Sequence, residues 1–211
     1  MQIIVCGTEV IKQELLQQGV QPDCNIQYVS SAEGFLNYPG SDAFVHLSFK
    51  NRKEELEILS QSKGLVIINS VMHTLAETDA CFIRINGWPG FLDTIIEGSF
   101  VKEDLKAKAE KVFKQFNKTI EWLPDEPGFI TCRVVSMIIN EAYFALEEGV
   151  STREQMDEAM KLGTAYPYGP FEWAKKIGLR NVLQLLTCLT KEKSRYAPAP
   201  LLIEEAQKAK D

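Results

Sequence analysis

The feature that most constrains this fold is a long apolar segment at residues 129–146. It follows Pro127 and Gly128, a dipeptide that interrupts regular structure. The segment is long enough for about five helical turns, and the main charges in it or just after it are Glu141, Glu147 and Glu148. A helix that is apolar around most of its circumference lies inside a domain or inside a dimer. The segment therefore predicts the central helix of a helical domain.

The residues after this segment carry the start and stop signals of further helices. Gly149 predicts the end of the long helix, and Ser151 with Glu154 predicts a capping box for the next one. One face of that second helix carries Met156, Ala159, Met160 and Leu162. Gly169-Pro170 predicts the start of a short helix, and residues 194–200 predict an extended link to a final helix.

The first half of the chain alternates between short apolar runs and polar helical patterns. Strands are predicted at residues 2–6, 25–29, 43–47, 65–69, 80–85, 94–100 and 119–123, and helices near 9–18, 52–61 and 101–118. This alternation favours an α/β fold with a mostly parallel sheet of Rossmann type. The half is short for that fold, which predicts the loss of helices between the second and third strands. We place the domain boundary at residue 124, giving a reduced Rossmann-like domain (1–124) and a helical domain (125–211).

Composition limits the partners and the compartment of the chain. The net charge is −6 and no basic stripe is visible, which argues against nucleic-acid binding. No apolar run is long enough to span a membrane, and Met1-Gln2 leads directly into a short apolar run, so we expect neither a signal peptide nor membrane attachment. The five cysteines form no CxxC pair, which is typical of reduced thiols and predicts no bound metal. The chain is therefore expected in the cytoplasm.

Three motifs in the second half carry a family resemblance. They are PGFITCR (127–133), AMKLGTAYPYGPFEW (159–173) and SRYAPAP (194–200). Together they resemble the C-terminal domain of the 3-hydroxyacyl-CoA dehydrogenases. The resemblance implies a helical domain like the C-terminal domain of 6-phosphogluconate dehydrogenase, a homodimer formed through it, NAD as the family cofactor and an acyl-CoA-like ligand.

The first turn of the predicted sheet is where a nicotinamide cofactor would bind. A dinucleotide site needs the pattern G-x-G-x-x-G, so that the backbone can approach the pyrophosphate. Here the strand ends in CGTEVIKQE, which leaves Gly7 as the only glycine and places Glu9 beside the expected phosphates. The second strand ends in Tyr28 and Val29, without the acidic residue that binds ribose hydroxyls. These residues predict that NAD is not bound and that Gly7 serves a tight turn.

The catalytic positions follow from the resemblance. Family members carry a histidine base in an HFFNP-like motif after the fifth strand, and an orienting glutamate eight residues beyond its proline. Placing Pro89 on the motif's proline puts Glu97 at the orienting position, Trp88 at the asparagine and Ile85 at the histidine. Isoleucine cannot accept a proton, so the family base is missing.

Two further polar groups hold the substrate oxygen in the family. One is a serine in an NTSS-like turn, which here reads Asn69-Ser70-Val71-Met72, so that Val71 falls on the serine and Ser70 lies next to it. The other is the asparagine of a PGFIxNR motif, where this chain has Cys132. Cys132 lies near a helix start, where the helix dipole lowers a thiol pKa. It is either a reactive thiol or a small buried residue.

The chain has two histidines that bear on the missing base. His73 follows Ser70 in the turn after the fourth strand, and His46 ends the third strand at the carboxyl edge of the sheet. Each is either a turn or edge residue bonded to backbone, or, for His73, a replacement base.

Two functions remain open at this point. The first is a pseudoenzyme, a 3-hydroxyacyl-CoA dehydrogenase-like protein of fatty acid metabolism that keeps the scaffold for ligand binding or dimerisation. The second is a working NAD-dependent oxidoreductase that acts on 3-hydroxyacyl-CoA with a rearranged site.

Overall fold

The computed structural model describes residues 1–78 and 81–209. The chain divides into two compact units, Met1–Phe129 and Ile130–Asp211. This division falls a few residues after the boundary that we placed at residue 124. Each unit is described by itself below.

The first unit is built on a seven-stranded sheet. Its strands are β1 (Gln2–Cys6), β2 (Asn25–Val29), β3 (Ala43–His46), β4 (Leu65–Asn69), β5 (Ile83–Ile85), β6 (Ile95–Phe100) and β7 (Thr119–Trp122). Their order is β2-β1-β3-β4-β5-β6-β7, and all neighbours are parallel except β5 and β6. The predicted mostly parallel sheet of Rossmann type is confirmed. The predicted fifth strand is shorter than expected, since it begins at Ile83; Ala80, its predicted start, lies outside the described residues.

Helices cover both faces of this sheet. They are α1 (Glu9–Leu16), α2 (Lys53–Ser60), α3 (Leu75–Thr78) and α4 (Glu103–Lys114), and a 3-10 segment at Ala32–Asn37 is all that lies between β2 and β3 apart from loops. Alternate strand residues enter two separate cores. Ile3 and Val5 pack with α1 and α4 on one face, whereas Ile4 and Phe44 pack with the 3-10 segment and α2 on the other.

A buried arginine holds the end of this unit against the sheet. Arg84 on β5 has no exposed surface, and its Nε lies 2.8 Å from Oδ1 of Asp125. Its Nη2 donates to the carbonyl of Glu126 at 2.8 Å, and its Nη1 donates to that of Ser70 at 3.1 Å. The guanidinium also lies 4.1 Å from the ring centre of Phe129. We call Arg84 and these four partners the arginine hub.

The second unit consists of helices with short connections. They are α5 (Thr131–Glu147), α6 (Arg153–Thr164), α7 (Pro170–Ile177), α8 (Leu179–Thr190) and α9 (Pro200–Lys208), with a 3-10 turn at Ser194–Tyr196. The predicted helical domain is confirmed. Gly149 lies just after α5 with φ +71°, and the N–H of Val150 donates to the carbonyl of Ala145, as in a Schellman motif.

The predicted capping box of α6 is wrong by one residue. The cap is Thr152, whose hydroxyl accepts from the backbone N–H of Gln155 at 3.3 Å. The Gln155 side chain in turn accepts from the Thr152 N–H at 3.4 Å and from the Ser151 hydroxyl at 2.8 Å. Both Ser151-x-x-Glu154 and Thr152-x-x-Gln155 satisfy the capping pattern, and the structure uses the second. On the predicted apolar face of this helix, Leu162 is 79% exposed.

A buried asparagine fastens the link before the last helix. Asn140 on α5 donates from Nδ2 to the carbonyl of Ala197 at 2.9 Å and accepts from the N–H of Ala199 at 2.8 Å. One amide satisfies both backbone groups of the link, because it carries a donor and an acceptor.

In the part of the chain that the structure describes, no helix is both long and apolar enough to cross a membrane.

Candidate functional site

Three polar residues stand side by side on neighbouring strands of the first unit. β4 and β5 pair in parallel, with Asn69 opposite Ile85. Ser70 is the next residue after β4, and its N–H donates to the carbonyl of Ile85 at 3.3 Å. β5 and β6 pair antiparallel with Ile85 opposite Gly98, so the next opposed pair is Asn86 and Glu97. We call Ser70, Asn86 and Glu97 the polar row. Because side chains alternate along a strand, all three lie on the face opposite to Ile85.

Asn86 and Glu97 are directly bonded in this row. The N–H of Asn86 donates to the carbonyl of Glu97 at 2.9 Å, and its side-chain Nδ2 donates to Glu97 Oε2 at 3.0 Å. Asn86 is 1% exposed, and its Oδ1 accepts from the N–H of Trp88 at 3.3 Å. The side chain beside the predicted orienting carboxylate is therefore an amide.

Ile85, which the motif alignment put at the base position, does not lie in the polar row. It has no exposed surface and belongs to the core cluster that packs against α1 and α4. Sequence reasoning missed Asn86, although the alternation Ile83, Arg84, Ile85, Asn86 contains the signal. Two apolar residues at alternate positions predict that Arg84 and Asn86 share the other face.

Ser70 is oriented by the turn that it begins. Its hydroxyl donates to the carbonyl of His73 at 2.9 Å, and the side chain is 6% exposed. The neighbouring Val71 is also buried, and its carbonyl accepts from the N–H of Gly128 at 2.7 Å. The hydroxyl proton of Ser70 is thus used within the turn, while its oxygen keeps acceptor capacity.

Asn69 closes the carboxyl edge of the sheet rather than facing a ligand. Its Nδ2 donates to the carbonyls of Leu47 at 2.9 Å and Gly87 at 3.0 Å, and its Oδ1 accepts from the N–H of Gly87 at 2.9 Å. A Cβ at Gly87 would lie 2.7 Å from Asn69 Cγ. The close contact requires glycine at this position and fixes the chain immediately after Asn86.

The loop after Gly87 is bonded to elements on the far side of the sheet. The N–H of Gly90 donates to Glu14 of α1 at 2.7 Å. The Lys118 ammonium, 2% exposed, donates to the carbonyls of Leu92 at 2.7 Å and Asp93 at 3.1 Å. Burial lowers the pKa of Lys118, and the two carbonyls supply the hydrogen bonds that a buried ammonium needs.

Neither histidine belongs to the polar row. His73 is bonded through Nδ1 to Glu77 Oε2 at 2.9 Å, and roughly half of its side chain is exposed, at 47%. His46 is 2% exposed, between the rings of Phe35 and Phe49. Burial lowers its pKa to about 4, although Glu55 Oε1 lies 3.7 Å from its Nε2 and opposes that shift. His46 is therefore a neutral core side chain near neutral pH.

The remaining predicted positions lie apart from the row in sequence and element. Gly7 directly follows β1, and a Cβ there would lie 3.0 Å from Leu47 Cβ. The following helix, α1, has Thr8 as its N-cap without a side-chain cap, and Glu9 in its first turn. Cys132 is the second residue of α5 in the helical unit, where it is fully buried and not part of a disulfide.

Comparisons with known proteins agree with this architecture. Residues 128–210 match the family profile of the 3-hydroxyacyl-CoA dehydrogenase C-terminal domain. The 3-hydroxyadipyl-CoA dehydrogenase of Escherichia coli K12 is 34% identical over 163 residues, covering 72% of this chain and 34% of that protein. A 3-hydroxybutyryl-CoA dehydrogenase of Bradyrhizobium diazoefficiens is 39% identical over 105 residues, covering 48% and 36%. The alignments thus span about a third of the length of these curated relatives.

Solved structures extend the likeness to the sheet. The (S)-3-hydroxybutyryl-CoA dehydrogenase of Ralstonia eutropha superposes with a TM-score of 0.74 at 20% identity, covering 98% of this chain and 93% of that chain. The 3-hydroxybutyryl-CoA dehydrogenase of E. coli K12 gives 0.60 at 31% identity, covering 67% and 31%. The first match shows a shared fold. The predicted resemblance is confirmed, and residues 128–210 belong to the family of 3-hydroxyacyl-CoA dehydrogenase C-terminal domains.

Proposed function

We propose that this chain is a 3-hydroxyacyl-CoA dehydrogenase-like protein with impaired hydride chemistry. It keeps the scaffold for binding an acyl-CoA-like ligand and for forming a homodimer. The observation that carries this proposal is the turn between β1 and α1.

The residues of that turn do not fit the pyrophosphate of a dinucleotide. Such a cradle needs a second glycine two residues after the first, so that the backbone can approach the phosphates. Gly7 fits the first position, where the turn packs against Leu47 at 3.0 Å from a Cβ built there, but the second position is Glu9, the first residue of α1. Glu9 in the first turn of α1 adds negative charge where the phosphates would bind. The residues of this turn therefore do not fit NAD.

The polar row supports the same proposal from the substrate side. Oxidation of a secondary alcohol needs a group that takes the hydroxyl proton. In the polar row, the side chain bonded to Glu97 is the amide of Asn86, and an amide has no basic lone pair for this task. Loss of a general base alone typically costs about 10²–10⁴-fold in rate.

The test is a pair of measurements on the unmodified protein. We expect no saturable quenching of Trp88, Trp122 or Trp173 by NADH, and no turnover of acetoacetyl-CoA with NADH. Titration with an acyl-CoA alone, followed by calorimetry, should still give binding. Saturable NADH binding together with turnover would establish the working oxidoreductase instead.

The homodimer is the second part of the proposal. Ile130, at 57% exposed, and Val134, at 48%, lie one turn apart on the helical unit and leave part of its apolar surface uncovered in the single chain. Light scattering at increasing concentration should give twice the chain mass of 23.8 kDa. A monomer at every concentration would refute this part while leaving the ligand proposal standing. A cytoplasmic location and a place in fatty acid metabolism stay predictions.

A further inference from the structure

The geometry points to Asn86 as the residue that occupies the place of the proton acceptor, and we propose that one substitution there rebuilds a histidine–carboxylate pair. The inference rests on the proposed loss of hydride chemistry. It places the missing proton acceptor at position 86, whereas the motif spacing indicates position 85. It also means that Glu97 is still held where a base would need it.

The first support is the strand register. Arg84 pairs with Ser99 and Ile85 with Gly98, and the bond from the Asn86 N–H to the Glu97 carbonyl at 2.9 Å continues that antiparallel ladder. Residues that are opposite each other in such a ladder project their side chains to the same face. Position 86, directly after β5, is therefore the one from which a side chain reaches Glu97, whereas position 85 points into the core.

The second support is the shape of the two side chains. Asparagine and histidine both branch at Cγ, so amide Nδ2 and ring Nδ1 lie the same number of bonds from the backbone. Asn86 already directs Nδ2 to Glu97 Oε2 at 3.0 Å. An imidazole in the same orientation would donate from Nδ1 to this carboxylate and leave Nε2 as the acceptor on the side away from it. This is the arrangement in which a carboxylate orients a histidine base.

The third support is that most of the frame around position 86 does not depend on the amide, whose own contribution is the bond that its Oδ1 accepts from the N–H of Trp88 at 3.3 Å and that an imidazole would lose. Backbone bonds hold Asn86 to β6, the two Asn69 bonds hold Gly87, and the loop beyond is held by Glu14 and Lys118. Of these contacts, none uses the Asn86 side chain. The substitution Asn86→His therefore changes the group beside Glu97 and leaves those bonds in place.

The experiment measures the pKa of the imidazole that N86H introduces. The chain has two other histidines, so a third set of ring resonances is assigned directly by comparison with the unmodified protein. We expect the pKa of the new ring to fall by about one unit or more when E97Q is added, because an ionised carboxylate in contact favours the charged imidazole. The matched control is I85H, whose ring pKa should not respond to E97Q.

The outcomes separate this inference from the proposed function. If E97Q leaves the N86H ring unchanged, or shifts the I85H ring instead, Asn86 does not hold the base position. Whether the unmodified chain binds NADH has no influence on this readout, so the two proposals fail independently.

A second measurement covers the case in which N86H does not fold. In a double-mutant cycle of chemical unfolding, N86A and E97A should be strongly non-additive, since each removes the same bond, while I85A and E97A should be additive. Additivity of N86A with E97A would overturn the inference.

Discussion

The arginine hub gives the sharpest quantitative prediction of this structure. Arg84 is fully buried and Asp125 supplies its countercharge, since Asp125 Oδ1 lies 2.8 Å from Arg84 Nε. The substitution Asp125→Ala removes that charge while the guanidinium stays inside. Breaking a buried ion pair in this way typically costs about 3–5 kcal/mol, because an uncompensated charge is left in a low-dielectric site.

The geometry places the cost near the lower end of that range. The Asp125 side chain is 21% exposed, so water can reach part of the vacated space. The carbonyls of Ser70 and Glu126 keep accepting from the guanidinium and spread its charge. Asp125 Oδ2 also accepts from the N–H of Leu75 at 2.7 Å, and this bond is lost as well at about 1 kcal/mol. We therefore expect a total loss of about 4 kcal/mol in the free energy of unfolding.

The assay is denaturant unfolding followed by tryptophan fluorescence, with two comparison variants. D125N keeps an acceptor of the same shape and removes the charge, so it should lose less than D125A. E57A removes an exposed pair, Lys53 with Glu57 at 3.8 Å, and should change stability by less than about 0.5 kcal/mol. If D125A loses no more free energy of unfolding than E57A, the arginine hub does not stabilise the unit.

Three further predictions concern single side chains. The free energy of unfolding should fall by at most about 3 kcal/mol as the pH drops from about 7 toward 4. The folded-state pKa of His46 is lowered to about 4, whereas the unfolded chain takes up the proton near 6.5, so protonation favours the unfolded state. H46Q should flatten this part of the profile of unfolding free energy against pH. N140A should cost about 2–4 kcal/mol, since it leaves the buried N–H of Ala199 and a carbonyl without partners, and circular dichroism in denaturant measures the loss. G169A should lower the melting temperature, because a Cβ there would lie 2.3 Å from Asp157 Cα. At Gly163 on α6 a Cβ meets nothing within 4 Å, so G163A should be neutral or stabilising. Equal changes in melting temperature for the two variants would contradict the close contact between Gly169 and Asp157.

The centre of the sheet could be predicted because its strands are buried on both faces. A parallel strand with helices on both sides is a continuous apolar run, and β1 and β4 begin and end at the residues that such runs indicate. The run at 80–85 was predicted too long, since among its described residues, 81–85, the strand is Ile83–Ile85. The capping box failed for a different reason, because two overlapping pairs satisfied one pattern and local sequence does not choose between them.

The polar row could be anticipated in part from the sequence. The spacing from Pro89 singled out Glu97 and the turn singled out Ser70, and both lie in the row, while their catalytic roles stay predictions. Asn86 was missed because counting from the proline assumes that the loop has the family's length, whereas the strand register decides which side chain meets Glu97. The arginine hub could not be predicted either, since Asp125 and Glu126 come from a connector far along the chain from Arg84, and no local pattern joins them.

The hub and the polar row are parts of one arrangement on the same face of the sheet. Arg84 precedes Asn86 by two residues, and Ser99, which accepts from Arg84 at 3.4 Å, follows Glu97 by two. Ser70 belongs to the row through its position beside Asn86 and to the hub through its carbonyl. Because two neighbouring strand pairs and one arginine fix these residues together, the geometry of the row depends on the connector that Arg84 binds. The row is therefore held by the structural core of the unit.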